Sequence, residues 1–151
     1  MVSSEWFATL IGFAVTVLPG FGVGHLVRYV GNSLGPLEPP SEELRPQWIK
    51  LTSRNMGGWW IGFLERPMFF AAFFIENGWP VFSTWIVMKT AFCWQSTNFS
   101  AFPPSLGTKK EADYLVAKHQ LGNHRVATVL VGTAANILLA LIGVAVANWV
   151  K

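Results

Sequence analysis

The sequence predicts an all-α polytopic membrane protein, with four transmembrane helices and one short amphipathic helix on the cytoplasmic side. Three observations carry that prediction. Four mainly apolar stretches alternate with polar, Pro-rich connections. Hydrophobic residues make up 52% of the chain and charged ones 13%, with a mean hydropathy of +0.39, outside the range usual for soluble domains. Eight tryptophans and twelve phenylalanines in 151 residues suit a chain with two membrane interfaces, because indole rings favour the headgroup zone. The length fits a single domain.

The first span covers about residues 6–27, enough to cross a hydrocarbon layer of roughly 30 Å at about 1.5 Å per residue. No basic stretch precedes it and no A-x-A site follows, so it reads as a retained helix and not a cleaved signal peptide. Pro19 predicts a kink, and Gly20 with Gly24 forms a small-xxx-small pair for close helix contact. A phosphate loop is the rival reading of Gly20 to Gly24, and the missing strand before it and the missing Gly-Lys-Ser/Thr after it count against it. Residues 31–56 then form a surface connection, with one helical turn expected at Ser41 to Leu44.

The second span, residues 57–75, crosses only if Glu65 and Arg66 lie inside it. Pro67 frees the Phe63 carbonyl and predicts a bend. Glu76-Asn77-Gly78-Trp79-Pro80 reads as a tight reversal, with Gly78 at a helix C′ position and Pro80 in the next first turn. The third span, residues 79–95, carries Lys89. Residues 97–125 form a second polar connection, opening with Phe99, Phe102 and Pro103-Pro104. Thr108 to Glu111 fits a capping box that starts a short amphipathic surface helix ended by Gly122. The last span, residues 126–150, aligns Gly132, Asn136, Ala140, Gly143 and Ala147 on one face of small residues, which predicts tight packing against another helix.

Four spans place both long connections on one side. Arg28, Arg45, Lys50 and Arg54 flank or occupy the first, and Lys109, Lys110, Lys118 and Arg125 the second, while the opposite side has Lys151. The positive-inside rule then makes both connections cytoplasmic and both termini non-cytoplasmic. It also accounts for the net charge of +3 without a nucleic-acid partner.

Orientation gives depth. Glu65 and Lys89 each lie roughly 10 to 12 Å inside the bilayer on adjacent antiparallel helices. An unpaired charge there costs several kcal/mol, so an ion pair between them is expected. Asn136 lies slightly deeper and joins the same polar cluster. Arg66, about 100° round the helix from Glu65, takes a second partner or reaches the cytoplasmic headgroups. The charges are either a structural clasp that fixes hairpin register or a binding site or ion path; Lys89 snorkelling to the interface is a third reading.

Other chemistry has little support. His25 is the one histidine near a span, so bis-histidine ligation within one chain cannot form, and it reads as an interfacial side chain. His119 and His124, five apart, fall off a common helical face, so no metal pair is expected. Cys93 has no disulfide partner and no base near it in sequence. No catalytic set, metal or cofactor is expected.

Three short motifs, I-G-F-L-E-R at Ile61 to Arg66, M-K-T-A at Met88 to Ala91 and V-G-T-A-A-N at Val131 to Asn136, resemble a pattern in a family of small uncharacterised bacterial multi-pass membrane proteins. There a helix with G-x-L-E-R precedes one with A-K-S and a last one with I-G-T-L. The resemblance covers about the second half of the chain. It implies an inner-membrane location and marks Glu65, Arg66 and Lys89, and it brings no assigned activity. The chain departs from the pattern at Pro67 after Glu-Arg, at Thr90 in place of the serine, and in lacking the basic residues usual after that serine.

The expected function is a non-catalytic subunit or scaffold of a membrane assembly, partnered by the lipid bilayer and by other membrane-protein subunits or further copies of itself. The alternative is a small oligomeric transporter or channel that uses the charge cluster.

Overall fold

The computed structural model describes residues 4–52, 57–75, 78–98 and 108–151, and among them every regular element is helical. The elements are α1 (Ser4–Val17), α2 (Gly20–Ser33), a 3-10 turn at Glu42–Leu44, α3 (Arg45–Thr52), α4 (Gly57–Phe74), α5 (Trp79–Asn98) and α6 (Thr108–Val150). The Glu76-Asn77 reversal, Arg54 and the Phe99 to Pro104 opening lie outside the described residues, as do the side chains of the Thr108 to Glu111 capping box.

The helix α6 is the axis of the fold and packs against α1, α2, α4 and α5. It runs antiparallel to α1, since Gly12 faces Gly143 and Ala147, and Thr16 lies against the carbonyl of Leu139. It runs parallel to α4, because Glu65 meets Asn136, Phe70 clusters with Ala140, and Lys151 covers the Phe74 ring. The α4 and α5 helices are antiparallel, with Phe73 on Trp79 at one end and Glu65 on Lys89 further down.

The small-residue face of α6 is what allows this approach. Ala140 and Ala147 are fully enclosed, and a Cβ at Gly143 would run into the Gly12 backbone and the Thr16 hydroxyl. Gly12 is the matching small residue on α1, and a Cβ there would collide with the Gly143 carbonyl. Gly132 sits 3.2 Å from the Val27 side chain, taken to the position of an added Cβ. Gly24 has open space around it and makes no such contact, so the expected pair with Gly20 does not form a helix interface. Gly20 has a different reason to lack a side chain, set out below.

Several boundaries differ from expectation. Gly122 does not end a surface helix: α6 continues unbroken for 43 residues, about 65 Å. An isolated glycine costs a helix only about 1 kcal/mol, which the packed neighbours offset. The turn at Ser41 to Leu44 does not stop there but leads into α3, whose Trp48 packs on Ala117 and Leu121 of α6 and donates to the Leu37 carbonyl at 3.1 Å. Residues after Ser41 therefore form a small docked layer and not a plain linker. Pro67 lies inside α4, which continues through it, whereas Leu18-Pro19 separates α1 from α2. Gly78 does not take the left-handed backbone expected of a C′ glycine; it is glycine because the Ala72 carbonyl lies where a Cβ would stand. That left-handed role falls to Gly35, at φ +90°, just after α2.

Two helical stretches, Ser4–Ser33 and Asp113–Val150, are long and apolar enough to cross a membrane. Helices α4 and α5 are not among them.

Candidate functional site

Glu65 is at the centre of a closed polar network. It sits on the face of α4 turned toward both α5 and α6, and it is 1% exposed. Its Oε1 accepts from Lys89 Nζ at 2.5 Å and from Trp85 Nε1 at 2.9 Å, and its Oε2 accepts from Asn136 Nδ2 at 2.9 Å. Lys89 also donates to Thr133 Oγ1 at 2.7 Å, which ties α5 to α6. Charge-assisted bonds of this kind are about twice as strong as neutral ones.

Asn136 turns the network toward Arg66. Its amide donates to the carboxylate and its Oδ1 accepts from Arg66 Nε at 3.0 Å, so its two ends are oriented by opposite charges. The Arg66 guanidinium then reaches across to the α1–α2 junction, with Nη1 donating to the Val17 carbonyl at 3.4 Å and Nη2 to the Gly20 carbonyl at 3.2 Å. A Cβ at Gly20 would fall on the guanidinium itself. Val17 closes α1, and the partial negative charge of a helix C-terminus suits a cation there.

All four residues expected to form the cluster, Glu65, Arg66, Lys89 and Asn136, are thus joined by direct bonds. Arg66 does not extend to an interface; Asn136 and two backbone carbonyls hold it inside. The network also includes members that sequence reasoning did not single out. Thr133 lies three residues before Asn136, and Trp85 four before Lys89, one turn away on the same helical face in each case. Gly62, three before Glu65, lies beside the Asn136 amide, which is 3.5 Å from the place of its absent Cβ, an ordinary contact. Each was findable by asking which residues share a face with the charges.

The remaining candidates are dispersed. His25 and His119 are exposed, and His124 is half-buried beside Gly31. Cys93 is half-buried and in no disulfide. Among the described residues no group of three or more His, Cys, Asp or Glu side chains is placed to hold a metal ion. Comparisons with protein-family models, with curated proteins and with solved structures find no match to the chain.

Proposed function

We propose that this chain is a small integral membrane protein whose four long helical stretches span the bilayer, and that it serves as a non-catalytic subunit or scaffold of a membrane assembly. The observation that supports this best is the distribution of polarity. Of the four largest fully buried side chains among the described residues, Phe69, Glu65, Asn136 and Thr16, three are polar. Meanwhile Trp6, Phe7, Phe21, Trp79, Phe92 and Trp149 are exposed. Water penalises such a surface, and soluble monomers seldom expose a contiguous apolar patch beyond a few hundred Å². Hydrocarbon favours it, and drives polar groups to satisfy one another inside.

The two most apolar stretches agree. Only 17% and 22% of their apolar windows are buried, unlike the core helices of a water-soluble fold. The first also contributes Ala8, Gly12, Thr16 and Gly20 to the bundle interior. The placement of Lys and Arg supports both termini lying on the non-cytoplasmic side, and the resemblance of the Glu65, Lys89 and Asn136 motifs supports a bacterial inner-membrane location.

The network favours a structural clasp over transport. Both Glu65 oxygens are already bonded and the side chain is fully enclosed, whereas an ion path needs a group that meets water or the ion. An oligomeric transporter would require Glu65 to line a water-filled centre. Purification in mild detergent tests the assignment: a different membrane protein retained in fixed ratio supports the subunit, and a lone homo-oligomer with solvent-reactive Glu65 supports the transporter instead.

A further inference from the structure

Met68, Pro80, Val81, Thr84, Trp85 and Met88 line an open, mainly apolar groove of about 380 Å³ beside α5. Residues 81, 84, 85 and 88 recur at helical spacing, so the groove follows α5 toward Lys89. Trp85 belongs to both features, since its ring lines the groove and its Nε1 donates to Glu65.

The adjoining cluster has more positive than negative charge. Arg66 and Lys89 are cations, and Glu65 is the one acid bonded among them. Arg66 is enclosed and donates to the neutral acceptors Asn136, Val17 and Gly20. Lys89 is the cation that keeps an exposed side, at 19% for the side chain against 0% for Glu65. Two of its three ammonium hydrogens go to Glu65 and Thr133, and the third finds no acceptor among the described residues.

We propose that the groove receives a transmembrane helix of a different subunit, one that carries a carboxylate able to pair with Lys89; this rests on the chain being a membrane subunit. Charge selects the guest's chemistry, because a carboxylate supplies both the missing acceptor and the missing negative charge. Depth selects its source. Lys89 is nine residues inside the Asn98 end of α5, roughly 13 Å, while lipid headgroups remain at the interface. A side chain carried by a helix delivers an anion at that level without moving a headgroup into hydrocarbon.

Sequence excludes a second copy of the chain. Apart from the enclosed Glu65, its acids are Glu5, Glu38, Glu42, Glu43, Glu76, Glu111 and Asp113, all in connections or at the ends of spans. By sequence position none is expected at the level of Lys89.

The test uses the full chain in lipid vesicles, labelled with an energy-transfer acceptor, and a donor-labelled synthetic Leu/Ala helix of about 20 residues. The helix carries a single Glu or a single Gln at the depth of Lys89. The Glu helix is expected to associate about five- to twentyfold more strongly than the Gln helix, the range of one interhelical polar contact. Thr84→Trp fills the groove while replacing none of the residues bonded in the cluster, and should abolish that preference. Equal association of the two helices, or a preference that survives Thr84→Trp, overturns the proposal. Flotation of the chain with vesicles after an alkaline carbonate wash separates the two levels: a chain that floats but shows no Glu preference overturns the docking alone, and one that does not float overturns the membrane-subunit assignment with it.

Discussion

The guanidinium of Arg66 occupies the space that a side chain at Gly20 would take, and its Nη2 donates to the Gly20 carbonyl at 3.2 Å. The contact links the two least expected features of the chain, a buried arginine in α4 and a break between α1 and α2. Pro19 has no N–H to extend the helical ladder, and Gly22 bonds back only three residues, to the Pro19 carbonyl at 2.8 Å. The arginine therefore docks where the helix is already interrupted.

Gly20→Ala should be destabilising and Gly24→Ala should not, although both are helical glycines. The first would displace a guanidinium held by Asn136 and two carbonyls and lose a hydrogen bond to a charged group, about 1.5–3 kcal/mol. The second enters open space and gains helix propensity, up to about 1 kcal/mol. Thermal unfolding in detergent measures both. Equal midpoints for the two variants would rule out the Arg66 dock.

Glu65→Gln should cost about 3–5 kcal/mol, the usual penalty for leaving a buried partner charge unmatched. Adding Lys89→Met removes the stranded ammonium. The amide carbonyl that the first substitution introduces still accepts from Trp85 or Asn136, so the double variant should regain most of the lost stability. Comparing accumulation and unfolding midpoints of wild type, single and double variants gives the coupling. A double variant no better than the single one would show that Lys89 does not depend on Glu65. Activity regained along with stability would count against a functional role for the charges.

What was legible in the sequence followed from solvent preference and helical period. Expensive charges at matching levels, Glu65 and Lys89, must meet, and the structure joins them; Asn136 on a small-residue face must turn inward, and it does. Arg66 was harder because its acceptors are backbone carbonyls, which no residue type announces, at Val17 and Gly20, nearly fifty positions away. Gly20 and Gly24 look identical as letters; only the arrival of α4 distinguishes them. The short range of helix signals also misled at Gly122, where tertiary packing carries α6 through, and at Leu44, where α3 forms because Trp48 has Ala117 and Leu121 to rest on.

Trp48→Ala should loosen the polar end of the molecule and leave the bundle intact. Trp48 is buried against Ala117 and Leu121 and anchored by its Nε1 bond to Leu37, so truncation removes the contact that holds α3 to α6. Large aromatic truncations cost about 3–5 kcal/mol where the gap cannot close. Amide hydrogen exchange should speed up by about tenfold or more across 108–121 and stay unchanged across 126–150. Faster exchange in both regions would show that the docked layer supports the whole bundle.

The two ends of the bundle should face opposite sides of a membrane. Ser33 closes α2 close to Gly31, which lies beside His124 and Thr128, whereas Lys151 covers Phe74 where α4 ends. Along α6 these levels are separated by more than twenty residues, on the order of 30 Å, about the thickness of a hydrocarbon core. Single cysteines at Ser33 and Lys151, introduced with Cys93→Ser, test this with an impermeant maleimide on intact spheroplasts. Lys151→Cys should react at once and Ser33→Cys only after lysis. The reverse pattern would invert the orientation argued from Lys and Arg while keeping the spans. Equal reactivity before lysis would mean that the bundle does not cross the bilayer, and the polar interior would then need another explanation.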